Sequence, residues 1–400
     1  MKWDIRQGHV LTVLKAMPAS SVQCVVTSPP YWGLRSYKTE PQDWGDWTGE
    51  LGLEPTPELF VQHIVEVFRE VKRVLRDDGT LWMNLGDSYS GSGKGKGSDH
   101  GKAVFTDEDI PDSPQMVTPG LKPKDLVGIP WRVAFALHAD GWYLRSDIIW
   151  AKPNPMPESV TDRPTKSHEY LFLLTKSPHY YFDQEAVRKP QMASSLKRLE
   201  SGWDGNKKRD WPKEGQHNNF DRYMGKSREE IAALPGRNLR TVWTIPTQSF
   251  SEAHFATFPE DLVEPCLRAG TSEKGCCAKC GAPWEREVKV SGGTIGQDWN
   301  QNKRGREDGE DIIKSPKIDK RANDGSYHRE TLGWHPTCSC QAETQPSLVL
   351  DPFCGSGTTG VVALKLNQDF LGIELQSDYI EMAKRRIGGV LPLFAEQILP

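Results

Sequence analysis

Between residues 347 and 374 the chain spells out one βαβ unit, and no other segment restricts the fold as much. Ser347-Leu348-Val349-Leu350 is a short apolar run of strand character. It runs into Asp351-Pro352-Phe353-Cys354-Gly355-Ser356-Gly357-Thr358-Thr359-Gly360, then into the helix-compatible stretch Val361-Val362-Ala363-Leu364-Lys365-Leu366. A second strand, Asp369-Phe370-Leu371-Gly372-Ile373-Glu374, ends in a carboxylate. Strand, glycine turn and helix in this order are the setting for nucleotide-type binding, and Gly355, Gly357 and Gly360 satisfy G-x-G-x-x-G. Glu374 stands where a dinucleotide fold places its ribose-binding acid. These residues alone leave three readings open: NAD or FAD, another adenosine cofactor, or glycines that only pack. A phosphate loop for nucleoside triphosphates is disfavoured, because this turn holds no Gly-Lys pair and Lys365 comes too late.

A second turn lies near the N-terminus. The apolar run Val22-Gln23-Cys24-Val25-Val26 stops at Thr27-Ser28-Pro29-Pro30-Tyr31. Each proline fixes φ near −65° and removes a backbone donor, and the residue before a proline is driven to an extended conformation. The Ser28 hydroxyl, the carbonyls of the Ser28-Pro29 step and the Tyr31 ring are thereby presented in nearly fixed geometry at a strand end. In open α/β sheets ligands bind just beyond such ends. A hydroxyl, a free carbonyl and an aromatic face suit a flat heterocycle bearing an amino group. The competing reading is a proline-stiffened loop with a packed tyrosine.

The rest of the chain sets bounds. Its 400 residues suffice for one large α/β domain with insertions, or for two domains. A hydrophobic fraction of 36% beside 36 glycines and 29 prolines indicates a globular core interrupted by long loops. No run approaches the ~18 apolar residues of a membrane span, and Met1-Lys2-Trp3-Asp4-Ile5-Arg6 lacks the apolar segment of a secretory signal. Eight cysteines in a chain of this length do not make a disulfide scaffold, and a reducing cytoplasm is the expectation. The net charge of −4 hides local patches. Residues 187–240 carry 13 Lys/Arg against 7 Asp/Glu, with Trp203, Trp211, Phe220 and Tyr223 interleaved among Arg188, Lys189, Lys207, Lys208, Arg209 and Lys213. That mixture suits phosphate neutralisation and base contact, or else a solvated surface insertion. Residues 90–120 open on Ser90-Gly91-Ser92-Gly93-Lys94-Gly95-Lys96-Gly97, a flexible loop.

Five of the eight cysteines fall within 275–341. Cys277 and Cys280 form a C-x-x-C pair, and Cys338 and Cys340 a C-x-C pair. Two close pairs can complete a tetrahedral four-sulfur zinc site of the structural kind, with Gly281 permitting a tight knuckle. Cys276 and His335 are substitute ligands, and unrelated free thiols are the alternative.

The two turns together resemble the β-class of amino-group DNA methyltransferases, in which a Ser-Pro-Pro-Tyr strand end precedes the Asp-Pro-Phe-x-Gly-Ser-Gly-Thr-Thr turn. Further segments are similar to that class: Asp78–Asp87, Arg145–Pro155, Arg163–Leu174 and His254–Pro259. The resemblance implies an α/β, Rossmann-like sheet with circularly permuted motif order, carrying a recognition insertion and a zinc-ribbon-like insertion. It divides the chain into a catalytic half (1–186), a target-recognition insertion (187–240), a cofactor half (241–274 with 342–390) and a zinc insertion (275–341). S-adenosylmethionine is the implied cofactor, lined by Asp351, Phe353, Gly355, Gly357 and Thr358, with Glu374 on the ribose and His254 and Phe258 closing over the methionine end. Ser28, Pro29, Pro30 and Tyr31 are the implied catalytic turn. Double-stranded DNA is the implied partner, with room for a cognate restriction endonuclease. One departure is Gly8-His9 where many relatives have Gly-Asp, which puts an adenine contact there in doubt.

Methylating a ring carbon requires a cysteine on a Pro-Cys turn. The only such pair, Pro265-Cys266, sits in a helical pattern, so Cys266 reads as a packed residue. An exocyclic amine requires no covalent intermediate. Ser28 Oγ and a proline-turn carbonyl can accept its two hydrogens and aim its lone pair at a methyl group, with Tyr31 stacking on a base flipped out of the duplex. Ser before Pro-Pro-Tyr resembles the cytosine-N4 members more than the adenine-N6 members. Beside these stand two remoter readings, a non-catalytic zinc DNA-binding protein and an NAD-type oxidoreductase.

Overall fold

The computed structural model describes residues 1–34, 36–37, 39–90, 120–190, 236–248, 258–291, 328–390 and 396–397. In chain order these contain β1 (Lys2–Gln7), α1 (Val10–Ala16), β2 (Val22–Thr27), β3 (Gln42–Asp43), β4 (Thr48–Gly49), α2 (Pro57–Val74), β5 (Leu75–Leu85), α3 (Ile129–Ala139), β6 (Tyr143–Ala151), β7 (His168–Thr175) and β8 (Val242–Thr244). Then follow α4 (Glu260–Gly270), β9 (Cys276–Cys277), β10 (Trp284–Ser291), β11 (His328–Pro336), β12 (Thr344–Gln345), β13 (Leu348–Asp351), α5 (Thr358–Lys365), β14 (Asp369–Glu374), α6 (Ser377–Gly388) and β15 (Glu396–Gln397). None of the described helices is long and apolar enough to cross a membrane.

Nine strands form one sheet in the order β15-β1-β14-β13-β2-β5-β7-β6-β8. All neighbouring pairs are parallel except the two made by β7, which runs antiparallel to both β5 and β6. Strands from the two ends of the chain therefore interleave. β13, from the last sixth of the chain, pairs in register with β2, Val349 opposite Cys24 and Leu350 opposite Val25. This is the expected permuted arrangement. Every residue of β2 is buried, as a central strand covered on both faces requires.

The helices cover the sheet through apolar stripes. α2 begins with Thr56 as N-cap, its hydroxyl accepting from the Leu59 N–H at 3.2 Å, and Pro57 at the first position needs no donor. Phe60, Ile64, Val67, Phe68, Val71 and Val74 recur at three- and four-residue spacing and are fully buried. Each such side chain contributes about 1.5–3 kcal/mol when removed from water. α4 has the predicted position, and its Cys266 is fully buried with Sγ bonded to the Leu262 carbonyl at 3.2 Å. Burial pushes that thiol well above its ordinary range, so Cys266 is a packing residue and no nucleophile.

The described chain divides into two units. The first comprises Met1–Asp183, Arg240–Trp284 and Pro336–Pro400, and the second Gln184–Leu239 with Glu285–His335. The paired cysteines thus remain with the sheet, and only the span between them separates. The cause is local: β9 pairs with β12, Cys277 opposite Thr344 and Cys276 opposite Gln345. In the second unit β10 and β11 pair, and Glu185 holds both Arg188 and Arg329 at 2.8 Å. Most of the basic segment expected to recognise the target (191–235) and of the glycine-rich loop (91–119) lies outside the described residues.

Candidate active site

Parallel strands β1, β2, β5, β6, β13 and β14 all end at the same edge of the sheet, and the reversed strand β7 begins there. This topology brings residues remote in sequence into one cleft. Ser28, Pro29, Pro30 and Tyr31 line it from the end of β2, Phe353, Gly355 and Thr358 from the turn after β13, and Glu374 from the end of β14. Phe258 lines it too, while His254 lies outside the described residues. The two turns singled out in the sequence therefore face one shared space.

Two expected cofactor residues stand behind the cleft instead of in its wall. Asp351 is fully buried. Its Oδ1 accepts from the Thr27 hydroxyl at 2.7 Å and the Phe353 N–H at 3.1 Å, and its Oδ2 from the Thr359 hydroxyl at 2.8 Å. Asp351 thus ties β2 to the glycine turn. Burial pushes its carboxyl up to about 6, against the pull of the Thr27 and Thr359 hydroxyls. Gly357, with φ of +80°, caps α5, and a Cβ there would lie 2.8 Å from the Ala383 Cβ. It lets α6 approach the turn.

Glu374 holds the rim of the glycine turn. Its Oε2 accepts from the Gly355 N–H at 2.8 Å, and its Oε1 from the N–H groups of Leu375 and Gln376 at 2.9 and 3.0 Å. Each carboxylate oxygen retains acceptor capacity beyond these bonds, which fits a pair of ligand hydroxyls. His9 lines the same cleft. Its Nε2 is buried without a partner among the described residues, and its ring lies edge-on to Trp44 with centroids 4.6 Å apart. Burial lowers its pKa, as does Lys15. A neutral imidazole nitrogen of this kind can exchange a hydrogen bond with a ligand in the cleft.

At the Ser28–Tyr31 turn the side chains form a network. Ser28 Oγ donates to the Tyr31 hydroxyl at 3.1 Å. The Tyr31 oxygen lies 2.8 Å from both Asn84 Oδ1 and Glu169 Oε2. Asn84 is oriented by its own Nδ2, which donates to the Tyr170 carbonyl at 3.0 Å. Lys152 Nζ donates to Glu169 Oε1 and sits 4.3 Å above the Trp150 ring. Burial, then the Glu169 charge, pushes the Tyr31 phenol well above its ordinary range. The ring rests on Gly86, where a Cβ would come within 2.5 and 2.7 Å of its Cε2 and Cδ2. Asn84, Lys152 and Glu169 were not singled out from the sequence. They stand in segments that resemble the methyltransferase class, but only the pairing of β6 with β7, Trp150 opposite Glu169, shows why they meet.

The Sγ atoms of Cys277, Cys280, Cys338 and Cys340 all lie within 4.8 Å of one another. The knuckle forms as expected, Gly281 donating from its N–H to the Cys277 carbonyl at 2.8 Å with φ of +71°. Backbone N–H groups of Cys280 and Lys279 draw the Cys277 thiol down to about 6, while hydrogen bonds to Cys280 and Cys338 push Cys340 up to about 12. Crowded thiols that resist joint ionisation fit a set awaiting a dication. Neither substitute joins them: Cys276 Sγ is 3.5 Å from the Pro346 carbonyl, and His335 lies 3.7 Å from Glu285.

The profile of a DNA methylase family, N6_N4_Mtase, matches residues 22–278 and 341–385. The type II methyltransferase M.Cfr9I of Citrobacter freundii is 37% identical over 384 residues, spanning 96% of this chain and 87% of that protein. The type II methyltransferase M.SmaI of Serratia marcescens is 34% identical over 384 residues, spanning 95% of this chain and 89% of that protein. Among solved structures, the PvuII DNA methyltransferase (cytosine-N4-specific) aligns over 96% of this chain and 86% of its own with a TM-score of 0.51 at 15% identity, a likeness of fold. With its permuted sheet, its two facing turns and a family match spanning both, the chain belongs to the N6_N4_Mtase family of DNA methylases.

Proposed function

We propose that this DNA methyltransferase moves a methyl group from S-adenosylmethionine to the exocyclic N4 amine of a cytosine held in the cleft, within a restriction-modification system. The observation that carries the reading is the opposition of Ser28–Tyr31 and Phe353–Thr358 across one cleft. When bound, the sulfonium donor supplies an activated methyl group. Phe353, Gly355 and Thr358 flank it, Glu374 takes its ribose hydroxyls, and His9 Nε2 offers a polar contact in place of the aspartate common in relatives. Asp351 fixes the turn from behind.

The chain's remaining task is to make a poor nucleophile attack. The amine lone pair is delocalised into the pyrimidine ring. Ser28 Oγ and the Pro29 carbonyl accept its hydrogens, so the nitrogen rehybridises and its lone pair points at the methyl carbon. Stacking on Tyr31 returns about 1–3 kcal/mol of the few kcal/mol needed to take a base out of the duplex. Cytosine is favoured over adenine by the hydroxyl before Pro-Pro-Tyr and by the absence of a carboxylate there. The basic, aromatic segment 187–240 reads the target sequence, and the four cysteines hold one structural zinc ion. Transfer of tritiated methyl groups from labelled S-adenosylmethionine to unmethylated plasmid DNA tests the reading. Incorporation abolished by Ser28→Ala supports it, and no incorporation by the intact chain refutes it.

A further inference from the structure

Ser28 can accept a proton from the amine only if its own proton moves on, because a serine hydroxyl cannot hold a second one. The turn itself contains no carboxylate. The structure supplies an exit. Ser28 Oγ donates to the Tyr31 hydroxyl at 3.1 Å, and that hydroxyl lies 2.8 Å from Glu169 Oε2. Asn84 Oδ1 is equally close to Tyr31, yet an amide oxygen is too weak a base to keep a proton, and the charged acceptor makes the stronger bond. Lys152 binds the other oxygen of Glu169, Oε1, leaving Oε2 to Tyr31. Among the described residues two other carboxylates line the cleft, Glu50 and Glu374. Both are engaged elsewhere, Glu50 with Ser36 and Glu374 with three backbone N–H groups.

We propose that Ser28, Tyr31 and Glu169 form a proton relay that carries the amine proton out of the reaction centre, with Glu169 as its terminus. The inference rests on the amine-methyltransferase reading above. As the amine nitrogen bonds to the methyl carbon, the carbon–sulfur bond of the donor breaks and its electron pair stays on sulfur. Positive charge passes to the nitrogen, which releases one proton to Ser28 Oγ. The Ser28 proton passes to the Tyr31 oxygen, and the Tyr31 proton to Glu169. The cationic sulfonium and the anionic carboxylate become a neutral thioether and a neutral carboxylic acid, so atoms and charge balance. Glu169 lines the cleft and acts through the Tyr31 hydroxyl it holds at 2.8 Å. It is a positioning and proton-accepting residue.

The relay separates two roles of Tyr31, since Tyr31→Phe keeps the stacking ring and removes only the hydroxyl. Single-turnover transfer of tritiated methyl to unmethylated plasmid DNA is measured for Tyr31→Phe, Glu169→Gln and the double variant, with equilibrium binding of S-adenosylmethionine and of the same DNA. The relay predicts that each single change lowers the transfer rate by about 10²–10⁴-fold. Both binding constants stay within roughly twofold of wild type, and the double variant is no slower than the slower single. A normal rate for Glu169→Gln overturns the relay, as do losses that multiply in the double variant. Loss of cofactor binding alongside the rate also overturns it, because Glu169 would then be a strut. Failure of the wild-type chain to methylate DNA would instead defeat the underlying reading, so the two failures are distinguishable.

Discussion

Gly86 supports the ring on which the proposed chemistry depends, and Gly86→Ala tests that support without touching a polar group. The new methyl would stand 2.5 Å from Tyr31 Cε2 and 2.7 Å from Cδ2. Carbon atoms prefer ~3.5–4 Å, so the ring must retreat by roughly 1 Å. It cannot swing freely, because its hydroxyl is held at 2.8 Å by both Asn84 and Glu169. Either those bonds stretch beyond hydrogen-bonding range or the strand end shifts. Overpacking of this kind costs about 1–3 kcal/mol of stability, and a misplacement near 1 Å costs about 10²-fold in rate. Single-turnover methyl transfer, paired with calorimetric titration of S-adenosylmethionine, separates the two effects. The expected outcome is a rate lowered about 10²-fold with cofactor affinity unchanged, since Gly86 is not among the residues lining the cleft. A variant with the wild-type rate would refute the claim that the ring's position matters.

Asp351→Asn changes the pH dependence of folding. The folded carboxyl titrates near 6, above its ordinary 3.8, so its stabilising contribution is complete below the ordinary value and is lost as pH rises through about 6. The variant lacks this titration, and its Nδ2 can donate to Thr359, which can turn its own proton to the Val26 carbonyl 3.2 Å away. Urea unfolding at low and neutral pH should show wild type losing roughly 3 kcal/mol relative to the variant on going up; an equal difference at both pH values contradicts this. Purified chain should carry one equivalent of zinc by metal analysis, and Cys340→Ser should bring it well below one, whereas an intact chain with no zinc refutes the four-sulfur site. Cys266→Ala should leave the methyl-transfer rate intact at a modest cost in melting temperature, and abolished transfer would reinstate a cysteine nucleophile.

Local signals carried much of the architecture. The strand–turn–helix of 347–366 and the strand stopping at Pro29-Pro30 need no distant partner to be recognised, because apolar runs, glycines and prolines fix backbone conformation where they stand. The cysteine pairs were legible for the same reason, since their spacing alone places two sulfurs together. What could not be read depended on pairing across the sheet. Glu169 reaches Tyr31 only because β7 runs antiparallel between β5 and β6. Asp351 illustrates the opposite limit. A carboxylate beside a glycine turn suggests a ligand contact, yet burial and three hydrogen bonds turn it inward. The cysteine-bearing ends of the 275–341 segment are joined to the sheet-bearing part through the β9–β12 pairing, a contact between residues remote in sequence that no local pattern announces.

The central claim concerns which atom receives the methyl group. Plasmid DNA incubated with the enzyme and S-adenosylmethionine, digested to nucleosides and resolved by mass spectrometry against authentic standards, addresses it directly. The account predicts N4-methylcytosine. N6-methyladenine would contradict the choice of base while sparing the amine chemistry, and 5-methylcytosine would contradict the account itself.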